Sequence, residues 1–171
     1  MAQIWYKTEI DRQSIIDKAH ENTLVETLDI KITEIGDDFI KGTMPVDSRT
    51  KQPAGLLHGG ASMALAETLA STGAYLCVDP EKYRVVGQEI NANHVRSATS
   101  GHVTGIAKPV FLGKRTQVWE IKIYKFLYIY NMTIGMHLFF STPIWSSKIE
   151  KYQTVNNSCL LYTSPSPRDR G

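Results

Sequence analysis

Alternating apolar and polar residues along this chain predict a series of short β-strands. The clearest case lies near residue 120, where Trp119, Ile121 and Ile123 alternate with more polar residues, the period of a half-buried strand. Leu28 and Ile30 begin a similar pattern. The predicted strands cover residues 28–33, 39–46, 85–95, 102–110 and 116–124. Breaks at 100–101 and 112–113 predict that the last three strands follow one another as hairpins.

One long helix is predicted between the second and third strands, over about Gly60 to Cys77. From Gly59 to Val78 the residues are small or apolar, with a few hydroxyls, and Glu67 is the only charge among them. Asp79-Pro80 ends the helix. A shorter helical pattern covers residues 14–19. A hairpin, one apolar helix and then a meander indicate an α+β fold, in which one antiparallel sheet wraps around the long helix.

The isolated carboxylate of Glu67 suggests chemistry or a buried ion pair, because burial disfavours the ionised form of a carboxylate. Upstream, Gly59 and Gly60 stand where the helix starts and where unpaired backbone N–H groups point outward. Glycine lets a ligand oxygen approach such groups closely. An oxyanion donor and a carboxylate about two turns along one helix predict an acyl-transfer site.

Composition narrows the class of protein. A chain of 171 residues with 42% hydrophobic residues has enough apolar surface for one core. Its formal charge of +2 does not favour a nucleic-acid partner. The two cysteines, Cys77 and Cys159, form neither a metal motif nor a disulfide framework. The start lacks the apolar run of a secretory signal, and the apolar run 126–140 is shorter than the roughly 20 residues of a spanning helix. We therefore expect a cytoplasmic protein with no membrane partner.

The chain changes character after Lys125. Residues 126–130 lack polar alternation, and the final residues, TSPSPRDRG at 163–171, have the composition of a disordered end. We therefore predict a domain over 1–125 and an atypical C-terminal tail over 126–171, disordered from about Lys148. A frameshift or an artefactual read-through would produce such a tail.

An ordered set of motifs resembles the hotdog-fold acyl-CoA thioesterases, over about residues 25–123. The motifs are MPVDSRTKQP at 44–53, GLLHGGAS at 55–62 followed by Glu67, VVG at 85–87, EINANHVRS at 89–97, and LG at 112–113 before QVW at 117–119. The nearest branch hydrolyses 1,4-dihydroxy-2-naphthoyl-CoA in menaquinone synthesis, and aryl-CoA and proofreading thioesterases are close to it. The resemblance implies one further interior strand, and we expect part of 126–140 to substitute for it.

The resemblance also implies an active site at a dimer interface. In that reading Glu67 is the nucleophile or the general base, and the backbone N–H of Gly59 holds the thioester oxygen. Gln52 and His58, from the facing subunit, orient the carbonyl or the water, and Ser71 and His94 complete the polar lining. The structural alternatives are an ion pair inside the dimer for Glu67, a helix cap for His58 and a hydroxyl bonded back to its own helix for Ser71.

The same resemblance implies a coenzyme A site and an assembly. The residues it places around the nucleotide and the pantetheine arm are Gly87, His94, Val95, Arg96, Ser97, Lys108, Phe111, Leu112, Gly113, Lys114 and Arg115. The alternative for the cations is a solvated charged face. The expected substrate is an acyl-CoA, the expected assembly is a homodimer or a dimer of dimers (a homotetramer), and no cofactor is predicted.

Other functions remain open at this point. A hotdog-fold 3-hydroxyacyl-thioester dehydratase or hydratase is one alternative, and a non-catalytic acyl-CoA binding protein is another. A zinc site at His58, His94 and Glu67 is disfavoured, because the chain offers no closely spaced ligand pair. No metal is therefore predicted.

Overall fold

The computed structural model describes residues 3–17 and 20–125 with their side chains, and the backbone of the strand Tyr128–Ser141. Within this part, the elements in chain order are α1 (Arg12–Ile16), α2 (Leu24–Thr27), β1 (Lys31–Ile35), β2 (Ile40–Pro45), α3 (Gly59–Leu76), β3 (Arg84–Asn93), β4 (His102–Leu112), β5 (Thr116–Lys125) and β6 (Tyr128–Ser141). An antiparallel sheet and one long helix confirm the predicted α+β class.

The strands form one antiparallel sheet in the order β1-β2-β4-β5-β6-β3. The predicted β4–β5 hairpin is confirmed. The predicted hairpin between 85–95 and 102–110 is wrong, because β3 pairs with β6 and β4 pairs with β2. Alternation within a strand indicates which face each side chain takes, but it does not identify the neighbouring strand.

Strand β6 lies inside the sheet, between β5 and β3. Its backbone pairs with β5 from Lys125↔Tyr128 to Thr116↔Phe139, and with β3 along most of the opposite edge. The sheet therefore continues past residue 125, where the predicted domain ended, and the segment expected to substitute for the interior strand occupies that place. The disorder predicted from about Lys148 concerns residues outside the described part.

The start of the sheet differs from the prediction by three residues. Thr23 caps the short helix α2 by accepting a hydrogen bond from the N–H of Glu26, and β1 begins only at Lys31. Between them Asp29 has a φ of +53°, which breaks the extended backbone predicted from residue 28. Leu28 and Ile30 are nevertheless buried. Their alternation with polar residues therefore predicted burial correctly, but the extended strand predicted for them is wrong.

Helix α3 packs against one face of the sheet. Its buried side is formed by Ala61, Ser62, Leu65, Ala66, Leu69, Ala70, Gly73 and Ala74. Gly42 and Gly105 face each other across β2 and β4, and a Cβ on either would lie 2.7 Å from a methyl group of Leu69. Because that distance is far inside van der Waals contact, only glycine allows the helix to pack this closely. The helix is about 27 Å long, since 18 residues rise 1.5 Å each.

Within the described residues, no helix is both long and apolar enough to cross a membrane.

Candidate active site

Buried Thr50 anchors the loop that leads from β2 into α3. Its hydroxyl donates a hydrogen bond to the carbonyl of Pro45 over 2.8 Å. Its own carbonyl accepts a hydrogen bond from the N–H of His58 over 2.8 Å. The Thr50 side chain is 1% exposed, so these bonds are shielded from water. The loop therefore holds His58 at a fixed position in front of the helix.

Gln52 lies on a turn of the same loop. Its N–H donates to the carbonyl of Leu56 over 2.8 Å, and the chain reverses at Gly55, where φ is +79°. Such a φ favours glycine over residues with a Cβ. The side-chain oxygen of Gln52 accepts a hydrogen bond from the N–H of Ala54. Its amide nitrogen is therefore the end of the side chain that is available to a substrate.

His58 caps α3, as the structural alternative predicted. Its Nδ1 atom accepts a hydrogen bond from the N–H of Gly60 over 2.8 Å. A neutral imidazole that accepts at Nδ1 carries its proton on Nε2. The ring therefore offers a donor at Nε2, and its one acceptor is already occupied by the cap. Capping and a role in the site are compatible, because they use opposite nitrogens.

The N–H of Gly59 is the first of the helix and has no acceptor inside it. Within the described part of the chain it donates no hydrogen bond to any other group. It also lies at the positive end of the helix dipole. Gly59 therefore presents the type of backbone donor that binds an oxyanion.

A cavity of about 500 Å³ opens beside Gly59. It brings together several predicted site residues from the loop, the helix and the segment after β3, namely Gln52, Gly59, His94, Val95, Arg96 and Ser97. Apolar residues form the rest of much of its wall, among them Leu56, Leu57, Val103 and Ile123. An apolar cavity with a few convergent polar groups is the usual form of a small-molecule site.

His94 stands directly over Gly59. A methyl group built on Gly59 would lie 3.0 Å from Nε2 and 3.1 Å from Cε1 of the His94 ring. The two residues are 35 positions apart in the chain, and the end of β3 brings the imidazole to the start of α3. Gly59 therefore allows this approach as well as the approach of a ligand.

Glu67 does not lie with these groups in one chain. It follows Gly59 by eight residues on α3, about 12 Å along the helix axis, and it does not line the cavity. The side chain is exposed in the single chain. Glu67 lies outside the buried side of α3, on the part of the helix that is turned away from the sheet.

Ser71 lies one turn beyond Glu67 and is half-buried. The hydroxyls of Thr68 and Thr72 bond back to Ala64 and Thr68 carbonyls. Ser71 makes no such bond within the described residues. Its hydroxyl therefore remains available on the same helix face as Glu67.

The predicted coenzyme A residues fall into separate groups. His94, Val95, Arg96 and Ser97 line the cavity at the start of α3. Lys108 instead pairs with Asp38 over 3.1 Å and lies over the ring of Phe39. Gly87 is exposed on β3 at the edge of the sheet.

The remaining predicted residues are in the β4–β5 hairpin, which reaches the other end of α3. Phe111 and Leu112 are exposed there, with 57% and 42% of their surface accessible, and Lys114 and Arg115 are exposed beside them. Leu112, Gly113 and Lys114 line a second cavity with Cys77 and Val78, which follow the helix. One chain therefore does not unite the two groups around a single ligand.

No group of three or more histidine, cysteine or acidic side chains in the described part is arranged to hold a metal ion.

Sequence reasoning missed two polar residues on the inner surface. Ser62 is 1% exposed and lines the first cavity, and its position three residues after Gly59 was the available signal. Gln117 is 2% exposed and lines the second cavity. It lies on the buried face of β5, together with Trp119 and Ile121, where a polar residue is unusual.

An antiparallel sheet around one helix, with an unpaired N–H and polar side chains at the helix start, defines a fold and a site suited to acyl transfer. The model of the Thioesterase superfamily matches residues 54–126. The chain is 60% identical over 104 residues to 1,4-dihydroxy-2-naphthoyl-CoA hydrolase of Escherichia coli, covering 61% of this chain and 76% of that protein. It is 55% identical over 102 residues to the proofreading thioesterase EntH of Cronobacter turicensis, covering 60% and 74% respectively.

Solved structures agree with these relatives. A mutant of thioesterase PA1618 from Pseudomonas aeruginosa superimposes with a TM-score of 0.77 at 37% identity, over 82% of this chain and 99% of that one. Thioesterase HI1161 from Haemophilus influenzae gives 0.77 at 39% identity, over 85% and 99%. The chain belongs to the thioesterase superfamily and has the hotdog fold. It is a thioester hydrolase of the acyl-CoA thioesterase type.

Proposed function

We propose that this enzyme hydrolyses an aromatic acyl-CoA, with 1,4-dihydroxy-2-naphthoyl-CoA as the first candidate substrate. The 60% identity to a hydrolase of that name supports the choice of acyl group. The unpaired N–H of Gly59, in the wall of a cavity with Gln52 and His94, is the observation that carries the chemistry. A place in menaquinone synthesis and a cytoplasmic location remain predictions tied to this substrate.

In this proposal the thioester oxygen binds at the start of α3. The N–H of Gly59 donates to it, and the Nε2–H of His58 is a second donor from the adjacent residue. Negative charge grows on that oxygen as the carbonyl carbon becomes tetrahedral, so donors aimed there stabilise the transition state more than the ground state. Removing one such donor costs about 10²–10³ in rate in acyl-transfer enzymes.

Glu67 supplies the carboxylate, as nucleophile or as general base for water. The net reaction adds one water across the C–S bond, so that the acyl carbon gains the oxygen and the sulfur leaves as the thiol of coenzyme A. Glu67 of the same chain lies about 12 Å further along the helix than Gly59. We therefore assign the reacting carboxylate to a second copy, with Ser71 of that copy beside it.

The sheet offers a place for the second copy. Strand β3 is the last in the sheet order, so one of its edges is unpaired within the described residues. An unpaired edge is a template for another strand. Antiparallel pairing of two β3 edges across a two-fold axis continues the sheet and sets the two α3 helices side by side in opposite directions. This arrangement brings Glu67 of one copy towards Gly59 of the other, in a homodimer or a dimer of dimers.

The same arrangement explains the divided coenzyme A residues. The β4–β5 hairpin and the first cavity are at opposite ends of α3 in one chain. Two helices that run in opposite directions place the hairpin of one copy near the first cavity of the other. Lys114 and Arg115 then face the phosphates of a coenzyme A whose thioester lies at Gly59. Lys108 is the least supported of these residues, since Asp38 already pairs with it.

A thiol-release assay tests the proposed function. The panel comprises 1,4-dihydroxy-2-naphthoyl-CoA, benzoyl-CoA, hexanoyl-CoA and crotonyl-CoA, and the expected result is fastest thiol release from the naphthoyl ester. Glu67→Gln should lower kcat by a factor of about 100 or more, whereas Glu9→Gln, at an exposed residue that does not line the cavity, should not change it. Equal turnover of all four esters would contradict the substrate assignment.

The assay also separates the alternative functions. A hydratase would consume crotonyl-CoA, with loss of its conjugated absorbance and no thiol. A non-catalytic binding protein would retain the esters unchanged at saturating protein. Either result would overturn the hydrolase assignment.

A further inference from the structure

Thr50 is one of three polar side chains that are buried in the described part of the chain, together with Ser62 and Gln117. It lies between the end of β2 and the start of α3, in the loop that carries Gln52 and His58. Unlike Ser62 and Gln117, Thr50 lines neither the first nor the second cavity. Any contribution of Thr50 to the site therefore passes through its hydrogen bonds to the chain.

The hydroxyl of Thr50 both donates and accepts a hydrogen bond. It donates to the carbonyl of Pro45 over 2.8 Å and accepts from the N–H of Asp47 over 3.0 Å. The backbone N–H of Thr50 donates to the carbonyl of Asp47 over 3.1 Å. These bonds close the turn directly after β2, of which Pro45 is the last residue. Because the hydroxyl is shielded from water, its bonds are not readily exchanged, and they fix the direction of the Thr50 carbonyl.

The Thr50 carbonyl in turn holds the backbone of His58. It accepts from the N–H of His58 over 2.8 Å, and the flanking residues Lys51 and Leu57 form an antiparallel bridge. The N–H of Leu57 donates to the carbonyl of Ala98 over 2.8 Å, which joins the same loop to the segment after β3. The imidazole of His58 therefore extends from a backbone that is held on two sides.

Gln52 is held independently of the Thr50 hydroxyl. Its N–H donates to the carbonyl of Leu56 over 2.8 Å, and its carbonyl accepts from the N–H of Gly55 over 2.9 Å. Both bonds lie within the turn itself, so loss of the Thr50 hydroxyl should leave them in place. The effect of that hydroxyl on the site therefore falls on His58.

We propose that Thr50 is a positioning residue for hydrolysis, whose hydroxyl sets the place of the Nε2–H donor of His58. This inference rests on the proposed function, in which that donor binds the thioester oxygen. A donor stabilises the transition state only where negative charge develops, so a displacement of about 1 Å can lower the rate about 10²-fold. Thr50 acts on the reaction in this way without contact with the substrate.

Thr50→Val and Thr50→Ser test the proposal in the full chain, with the ester that the unaltered chain hydrolyses fastest. Valine keeps the shape of the side chain but removes the hydroxyl, so kcat should fall by a factor of about 10 or more while KM changes less than about threefold. Serine keeps the hydroxyl and should retain kcat within about threefold. The matched control is Thr33→Val, which removes a hydroxyl that donates to the carbonyl of Lys41 over 3.3 Å. Full kcat in Thr50→Val, or an equal loss in Thr50→Ser, would overturn the proposal.

A double-variant cycle with His58→Asn separates positioning from a general loss of structure. His58→Asn keeps the cap but removes the distal donor, so in that background Thr50→Val should lower kcat less than about threefold. An equal fall in both backgrounds would overturn the proposal. If Thr50→Val does not fold, Thr50→Cys, whose thiol is a weak donor and acceptor, replaces it under the same criteria. Full kcat in His58→Asn would overturn the proposed donor role of His58 and this proposal with it, whereas full kcat in Thr50→Val overturns only the proposal for Thr50.

Discussion

The Nδ1 atom of His58 accepts a hydrogen bond from the N–H of Gly60 over 2.8 Å, and this one bond both caps α3 and leaves the proton of a neutral His58 ring on Nε2. The proposed catalytic donor is therefore set by a structural contact. Separate substitutions should remove the cap and the donor independently.

His58→Asn and His58→Gln distinguish the two roles. Asparagine replaces Nδ1 by an oxygen that still accepts from Gly60, so stability should be near that of the unaltered chain, while loss of the distal donor should lower kcat by about 10²-fold. Glutamine keeps a donor near the position of Nε2 but removes the cap, at a cost of about 1 kcal/mol in the free energy of unfolding. Urea unfolding and thiol release give both values. Equal kcat in the two variants would contradict the donor role.

Gly59→Ala tests the close approach of His94. The new methyl group would lie 3.0 Å from Nε2 of His94, so the ring must move away from the start of α3. We expect a fall in kcat/KM of at least tenfold with little change in stability, since an alanine is favourable in a helix. The control is the double variant Gly59→Ala with His94→Ala, which removes the clash. If His94→Ala alone lowers kcat/KM as much as the double variant does, displacement of His94 causes the loss in Gly59→Ala. If the losses of the two single variants add in the double variant, this explanation is contradicted.

Gly105→Ala tests the packing of α3 on the sheet. Its Cβ would lie 2.7 Å from a Leu69 methyl group, and such overpacking costs about 1–3 kcal/mol in the free energy of unfolding. Leu69→Ala should cost about 2–5 kcal/mol by itself, because it leaves a cavity. In the double variant the two costs should not add, since each change relieves the other. Additive costs in urea unfolding would show that the two residues do not press on each other.

The thiol of Cys77 should be protected at neutral pH. Burial raises its pKa from 9.0 to about 12, so the fraction of reactive thiolate in the folded chain is lowered by roughly a hundredfold or more. The unfolded thiol ionises near 9 and the folded one near 12, so this residue stabilises the fold fully below about pH 9 and loses that contribution as the pH rises towards 12. Alkylation by iodoacetamide at pH 8, in a Cys159→Ser chain with and without urea, measures the protection. Equal rates would refute it.

Local patterns predicted much of this fold. The alternation of Trp119, Ile121 and Ile123 identified β5 and its buried face, and the small-residue run after Gly59 identified α3. Strand partners were not predictable in the same way, because β3 pairs with a strand about 45 residues later in the chain. The interior place of β6 was expected from the family resemblance, whereas the residue pattern of that segment did not indicate it. Backbone pairing depends on topology as well as on the side chains of one segment.

The sequence indicated which residues lie near the start of α3, but it did not indicate how Glu67 lies relative to them. The motif around His58 identified the cap, the free N–H and the cavity residues correctly as neighbours. Glu67 is exposed in the single chain, because a helix with apolar residues on two faces packs only one of them against the sheet. The inward-facing Gln117 passed unnoticed, since one polar residue in an alternating strand resembles an outward position.

The central claim is that each active site combines Gln52 of one copy with Glu67 of another. Gln52→Ala and Glu67→Ala chains should each have less than about a hundredth of the unaltered turnover. In a hybrid dimer one of the two sites carries neither substitution, so an equal mixture after subunit exchange should recover about a quarter of the unaltered turnover. Native mass spectrometry confirms that hybrids have formed. Thiol release at that level is the predicted result, and hybrids with no recovered activity would contradict the account.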